Sequence, residues 1–297
     1  MTTPTMKCTS RADLLAIPAV MFGFHPAESV VIMGMRGSTV EFTARIDLDW
    51  HLHGTEQIVA QLMSAAEHVS TEDFIVLGYG ADPDLAFLSV TELISLLGAR
   101  HVREALVTDG TSYWSLDDGE PLQFDFDSSA VAAQAVYEGR LISDSREAMV
   151  AQVEDWAPAT EEEVAAQESY LRGVARPDRL FSRLLESARP LAAEEALQLA
   201  LYLGEQPRCD RLVGNLTVER AKRIWPNLTA ARRVAPPSAE INTIAVLAMA
   251  AWLRGGGAEY TSCVEQLETR APEHPVSQVL ARMHHLGIPP RMWSECE

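Results

Sequence analysis

The sequence predicts an α/β N-terminal domain with a mixed sheet flanked by helices, followed by an all-α helical C-terminal domain. Strand-type and helix-type apolar patterns alternate in the first half, whereas the second half contains no convincing strand pattern. We place the domains at residues 1–152 and 153–297, because the polar segment 154–163 carries a proline and ends in a Thr-x-x-Glu capping box. At 297 residues and 47% hydrophobic content, the chain is long and apolar enough to bury two cores.

The first two strands follow each other directly. Residues 29–35 (SVVIMGM) form a short apolar run of the buried-strand type. From Thr39 to His53 apolar and polar residues alternate strictly, which predicts one strand with a single buried face. Strands usually run about 5–6 residues, so we expect the far end of this stretch to be bent or already loop. The residues predicted to point inward are Val40, Phe42, Ala44, Ile46, Leu48, Trp50 and Leu52.

Helices and strands then alternate. A helix with one apolar stripe follows Gly54, and residues 73–79 (DFIVLGY) predict a buried strand. Asp82 and Pro83 are an N-cap and first helical residue, and Gly98 ends that helix. Because this helix is apolar nearly all round, we expect it to be well covered.

A hairpin and a short helix complete the first domain. Asp109-Gly110 lies between two strand patterns and predicts a hairpin turn, and an Ala-rich helix is expected from 128 to 139. The predicted order is therefore β-β-α-β-α-β-β-α.

The second domain is predicted to be helices separated by prolines. Its last three helices have the clearest pattern: an apolar stripe between Ile241 and Trp252, a turn at 255–257 (GGG), and a final helix from Pro275 to Gly287.

Charge limits the classes of partner. The net charge is −18, of which −13 falls on residues 1–140 and −5 on residues 141–297. An acidic surface repels phosphate backbones, which argues against direct nucleic-acid binding. The simplest interpretation of the negative charge is that it keeps the protein soluble, and the alternative is that the protein is an acidic DNA mimic.

The expected compartment is the cytoplasm. The chain has no run of about 18 apolar residues, so we predict no membrane partner, and its N-terminus lacks a secretion-signal pattern. Its cysteines lie far apart without metal-type spacing, which is typical of a reducing compartment.

The segment RIDLDWHLHG, residues 45–54, holds candidate metal ligands. On a strand, His51 and His53 would face one side, and Asp47 or Asp49 could supply a third ligand to a divalent metal. The same residues are also the polar half of an alternating strand, which normally faces water. We predict no resident cofactor, with this metal as the alternative.

The segment GFHPAES, residues 23–29, is the other candidate site. His25, Glu28 and Ser29 could form an acid/base or nucleophile cluster beside Arg45 and Asp47 if the first two strands pair. The alternative is a turn with a local hydrogen-bond network.

Two further patterns favour structural interpretations. Gly78-x-Gly80 lies between a strand and a helix, but Asp82 and Asp84 at the helix start would repel a pyrophosphate. Residues 208–233 hold seven Lys or Arg and two acids. That basic stretch could bind nucleic acid or an acidic partner. It could also dock on the acidic first domain, either of the same chain or of a second copy. The structural interpretation is that it forms solvated helix faces.

The chain resembles a known family. LLAIPAVMFGFHPAESVVIMGM followed by ARIDL, then VREALVTDG, AQAVYEGR, AAWLRGGGAEYTSCVEQL and LGIPPRMW, are similar to the actinobacterial and phage domain-of-unknown-function family four-one-nine-two. The resemblance covers roughly residues 14–293 and implies the class and the compartment, without a mechanism. Two features depart from the family: residues 116–126 lack its cysteines, and Asp49 stands where members tend to have proline.

These observations favour a soluble cytoplasmic protein that acts as a non-catalytic interaction or regulatory protein, with an unknown protein partner or a second copy of itself. The first alternative is a metal-dependent hydrolase that uses Asp47, Asp49, His51 and His53. The second is an acidic DNA mimic or phage-encoded binder of a host factor.

Overall fold

The computed structural model describes residues 8–52, 55–98, 101–117 and 119–294. The chain divides into two compact units. The first comprises residues 1–146 and 286–289, and the second comprises 147–285 and 290–297. The fold class is confirmed: a mixed six-stranded sheet with helices is followed by a helical region. The domain boundary at 152/153 stays a prediction.

The first unit is built on one sheet with the strand order β2-β1-β3-β4-β5-β6. Its strands are β1 Ser29–Arg36, β2 Thr39–Asp47, β3 Asp73–Tyr79, β4 Val102–Thr108, β5 Ser112–Ser115 and β6 Leu122–Gln123. Only the β3–β4 pair is parallel among these strands; the other neighbours are antiparallel. The α3 crossover between β3 and β4 is what makes that parallel pair possible.

Helices cover both faces of this sheet. They are α1 Arg11–Phe22, α2 Thr55–His68, α3 Pro83–Leu97 and α4 Ala130–Tyr137, with a 3₁₀ turn at Trp50–Leu52. One core cluster joins α1 and α4 to the sheet, and the other joins α2 and α3 to the opposite face. The result is a three-layer unit with a core on each side of the sheet.

Helix α1 precedes the first strand and was not among the predicted elements. Ser10 and Asp13 form a capping box at its start, and Gly23 ends it with a φ of 78°. Pro18 lies inside the helix, so its apolar run gives a weak helical signal.

The buried carboxylate of Asp13 fixes α1 against α4. It is 3% exposed and accepts hydrogen bonds from Thr9, Ser10 and the backbone N–H of Ala130, the last at 3.1 Å. Burial alone would raise the pKa of Asp13, but these hydrogen bonds outweigh it and hold the pKa below its ordinary value. The start of α4 is therefore tied to the start of α1.

The predicted strand from Thr39 ends before His53, as we expected from its length, but the prediction of a single buried face is wrong. The strand ends at Asp47, because the buried side chains of Leu48 and Trp50 turn the chain towards the core. A bulge in the β1–β2 pairing also skips Glu41, so Val40 and Phe42 pack against opposite core clusters and not on one face.

Helices are the only regular secondary structure among the described residues of the second unit. Its helices are α5 Arg146–Glu154 (whose first residue falls in the first unit), α6 Glu161–Gly173, α7 Pro177–Leu185, α8 Ala193–Leu203, α9 Gln206–Val213, α10 Val218–Val234, α11 Pro237–Arg254, α12 Gly257–Arg270, α13 Pro275–His285 and α14 Arg291–Ser294. Helix α11 is the centre of this unit: its residues are buried almost without interruption, and α8, α10 and α12 pack around it. The predicted turn after it is confirmed, with Gly255 at a φ of 81°.

The segment between α5 and α6 caps the end of α10. The backbone N–H groups of Ala157 and Ala159 donate to the carbonyls of Arg233 and Val234 at 2.8 and 3.1 Å. The indole N–H of Trp156 donates to the carbonyl of Ala235 at 2.8 Å. Three carbonyls at the end of a helix, where intrahelical partners run out, are thus satisfied.

Candidate functional site

Several candidate residues of the first unit lie at one edge of the sheet. Ser29 begins β1 and is paired with Asp47, the last residue of β2, and with Tyr79, the last residue of β3. Tyr79 in turn is paired with Thr108 at the end of β4. This edge includes the carboxyl ends of the parallel pair β3 and β4, where α/β sheets commonly bind ligands.

Arg45 is held by the loop before β1. Its Nη1 donates to Asp47 Oδ1 at 2.8 Å, and its Nη2 donates to the carbonyl of Ala27 at 3.1 Å. Its Nε is buried without a hydrogen-bond partner. The guanidinium therefore links the loop before β1 to the end of β2.

Ser29 is fully buried, and its Oγ has no hydrogen-bond partner. A buried hydroxyl without a partner costs about 1–3 kcal/mol. Its placement beside Asp47 follows from the strand register, but full burial keeps the hydroxyl away from any substrate that approaches from solvent.

Glu28 has an uncommon backbone conformation and two fixed contacts. Its φ is 42°, a region that costs a non-glycine residue about 1–2 kcal/mol. Its Oε1 accepts from the N–H of Ala81 at 2.8 Å, and its carbonyl accepts from the N–H of Leu48 at 3.1 Å. Glu28 thus joins three segments: the start of β1, the end of β2 and the turn after β3.

The turn after β3 is closely packed. The N–H of Gly80 donates to the carbonyl of Thr108 at 3.1 Å, and a Cβ at this position would lie 2.8 Å from Leu48 Cδ1. Asp82 caps α3 by accepting from the N–H of Asp84. The glycine is explained by close packing, and the helix start is occupied by carboxylates.

His25 has other neighbours. It is exposed, its ring lies edge-on to Phe126 with the centroids 4.6 Å apart, and its backbone N–H donates to the carbonyl of Ser143 at 3.3 Å. The structure therefore brings Glu28, Arg45 and Asp47 to the edge that Ser29 begins, whereas the contacts of His25 are with the segment around α4. Whether any of them is catalytic stays a prediction.

The predicted metal ligands lie at and after the end of β2. Asp49 follows the strand, and His51 lies in the 3₁₀ turn with its Nδ1 3.8 Å from Glu92 Oε2. His53 lies outside the described residues. Among the residues that the structure describes, no three His, Cys, Asp or Glu side chains form a group that could hold a metal. The metal site and the hydrolase that would use it stay predictions.

Trp50 shows why the chain turns inward here. Its side chain is 2% exposed, and its indole N–H donates to Ser89 Oγ at 2.7 Å. Leu52, predicted to face the core, is 69% exposed. The alternating pattern beyond Asp47 therefore reflects a turn anchored by one aromatic residue.

An exposed apolar surface at the end of α4 was missed by the sequence analysis. Val136, Tyr137 and Leu141 are 78%, 91% and 92% exposed, and we call them the α4 corner. The inward face of α4 is made by smaller residues, and Gly139 ends the helix with a φ of 68°. The helical period could have shown that Val136 and Tyr137 lie outside that inward face.

A second apolar surface lies on α3. Leu85, Leu88 and Leu96 are 38%, 58% and 47% exposed. The expectation that α3 is well covered is therefore wrong on its outer side, because only every third or fourth residue of the helix reaches the sheet.

The second unit has an open groove of about 500 Å³ between α5 and α10. Most of its wall consists of small side chains, with the Asp155–Arg233 ion pair at its rim. The lining residues are Ala148, Ala151, Gln152, Asp155, Pro226, Thr229, Ala230 and Arg233.

The predicted basic stretch 208–233 is largely paired within the second unit. Arg208 contacts Glu205, Arg220 and Arg223 share Glu186, and Arg233 contacts Asp155. Arg232 is fully buried against Gln266 and Glu240, and its burial lowers its pKa to about 10. Most of the positive charges of this stretch are therefore paired with carboxylates of the same unit.

The chain belongs to the family described as Domain of unknown function (DUF4192), whose model matches residues 12–291. This confirms the resemblance drawn from the sequence. No match was found among curated proteins or among solved structures. Within the described part of the chain, no helix has the length and apolar character to span a bilayer.

Proposed function

We infer that this chain is a non-catalytic protein-interaction or regulatory protein of the cytoplasm, and that the α4 corner is its binding surface. The observation that carries this proposal is the exposure of three large apolar side chains at one helix end, two of them above 90%. Exposed apolar groups that cluster are commonly binding surfaces, whereas scattered ones are not.

The composition of the α4 corner suits recognition. Tyr137 offers a rigid ring with a polar hydroxyl, the kind of side chain that is enriched among binding hot spots. Arg140 and Glu138 flank it and form an ion pair at 2.8 Å, so the apolar side chains have a polar surround. The partner that fits is a protein with a shallow apolar pocket.

The fixed position of α4 supports the same proposal. The helix starts at a hydrogen bond from Ala130 to the buried Asp13, and the N–H of Arg140 donates to the carbonyl of Ala135 at 2.9 Å just after its end. A surface held at both ends loses little conformational entropy on binding.

Site-specific photo-crosslinking tests the proposal. A photoreactive phenylalanine analogue placed at Tyr137 is expected to give discrete protein adducts in cells of the native host, and the additional change Leu141→Ser should reduce their yield. Tyr170 on α6, 51% exposed, is the matched control position and should not give the same adducts. Identical adduct patterns at both positions, or none at Tyr137, would exclude the α4 corner as the binding surface.

A further inference from the structure

An arginine face on the second unit lies outside the α4 corner. Helix α7 buries Leu180, Leu184 and Leu185, and its exposed side carries Arg179 and Arg183 one turn apart. The exposed Arg176 precedes the helix and continues this row.

The neighbouring helix α10 extends the row. Arg220 Nε and Arg223 Nε donate to the two carboxylate oxygens of Glu186 at 2.9 and 2.6 Å. Although burial opposes it, these hydrogen bonds hold the pKa of Glu186 below its ordinary value. We call the α7 row and the two arginines at Glu186 together the arginine face, which comprises Arg176, Arg179, Arg183, Arg220 and Arg223.

The arginine face has an excess of positive charge. Five guanidinium groups belong to this face, and Glu186 binds only two of them, those of Arg220 and Arg223. Three other described acids lie close to these arginines. Glu219 is near Arg223, and Glu195 is near Arg183 but is bound by Arg189 through two hydrogen bonds. Asp178 precedes Arg179 in α7 and accepts a hydrogen bond from Tyr202. A surface that stays positive on a chain of net charge −18 is complementary to an acidic partner.

The first unit carries a matching acidic segment. Residues 117–127 contain five Asp or Glu and no Lys or Arg. The described carboxylates in it, Asp117, Glu120, Asp125 and Asp127, are all on exposed residues. The segment includes the two-residue edge strand β6, whose first residue, Leu122, is half-exposed.

We propose that the arginine face binds the acidic segment 117–127 of a second copy of this chain. The contact joins two different surfaces, so copies either exchange it reciprocally in a two-fold dimer or continue it head-to-tail into rings or open chains. The net charge does not prevent this contact, because at about 0.1 M salt charges separated by more than about 10 Å are largely screened, whereas facing groups are not.

The test compares the assembly state of full-length variants by sedimentation velocity at about 0.1 M salt. The wild-type protein should show a mass that rises with concentration up to about 100 µM, a range that detects micromolar dissociation constants. R179E/R183E should weaken this association at least tenfold, as should E120K/D127K, which leaves the turn-capping Asp125 in place.

An equimolar mixture of the two variants should associate again. The unchanged acidic segment of R179E/R183E can bind the unchanged arginine face of E120K/D127K, and the two altered surfaces are also opposite in charge. R172E/R282E changes the net charge as R179E/R183E does but lies outside the arginine face, and it should assemble like the wild type. Thermal unfolding checks that each variant is folded. A wild-type chain that stays monomeric, a mixture that does not associate, or unimpaired assembly of R179E/R183E would overturn the proposal.

Discussion

The sheet edge at Ser29 and the α4 corner are opposite in character. The sheet edge collects residue types known from active sites, yet its groups are buried or occupied by local hydrogen bonds. The α4 corner contains no reactive group, yet it presents the most exposed large apolar side chains of the described chain. The comparison teaches that residue type identifies candidates, whereas accessibility decides which of them can meet a ligand.

The largest expected effect comes from Trp50, which closes the chain beyond the sheet edge. Trp50→Ala should lower the free energy of unfolding by about 3–5 kcal/mol, because it removes a buried ring and the hydrogen bond to Ser89. Urea unfolding measures this change. Leu52→Ala is the control and should change stability by less than about 0.5 kcal/mol. Equal effects at both positions would mean that Trp50 is not a core residue.

A smaller effect is expected at Asp13, which holds the helix that carries the α4 corner. Asp13→Asn should cost about 1–3 kcal/mol at pH 7, because a carboxylate that accepts several N–H donors is lost.

The same carboxylate gives a pH dependence. The folded-state pKa of Asp13 is lowered, so its stabilisation is complete above the unfolded value of about 3.9 and is lost as the pH falls through the folded value. Unfolding measured from pH 7 down to pH 3 should show a shallower decline in D13N than in the wild type. Parallel curves would contradict this assignment.

Ser29→Ala should stabilise the protein by about 1 kcal/mol, because it removes a buried hydroxyl without a partner. Thermal unfolding measures the change. Ser89→Ala, which removes the hydroxyl bonded to Trp50, should have the opposite sign. A loss of stability in S29A would show that the hydroxyl has a hydrogen-bond partner and that the sheet edge is more than a closed turn.

The smallest effect is expected at the α4 corner. Tyr137→Ser/Leu141→Ser should change the free energy of unfolding by less than about 0.5 kcal/mol, because neither side chain is packed. Chemical unfolding provides the measurement. A large loss would mean that these residues stabilise the fold and are not free to bind a partner.

Much of the fold could be predicted from local patterns. Short apolar runs predicted β1 and β3, and the Asp82-Pro83 pair predicted the start of α3. The alternating pattern failed after Asp47, because alternation is also produced when Leu48 and Trp50 enter a core through a turn. Helix α1 was missed because its caps depend on Ser10 and Asp13, while its interior proline weakens the apolar pattern.

The candidate site could be predicted less well than the fold. Register placed Ser29 opposite Asp47, as the pairing of the first two strands suggested. Burial of Ser29 and the positive φ of Glu28 depend on segments distant in sequence, such as the turn at Ala81. Likewise, the helical period could have placed Tyr137 outside the inward face of α4, but only the structure shows how fully Tyr137 and Leu141 are exposed.

The hydrogen bonds that cap the end of α10 determine where a fragment containing only the helical unit can begin. A fragment that begins at Glu161, at the first residue of α6, would lack Trp156, Ala157 and Ala159 and would leave three carbonyls of α10 to water. A protease should spare this proline-containing segment despite its linker-like composition, since its backbone is engaged in hydrogen bonds. Expression of the helical half therefore has to start upstream of Trp156, as a fragment that begins at the predicted boundary, residue 153, would do.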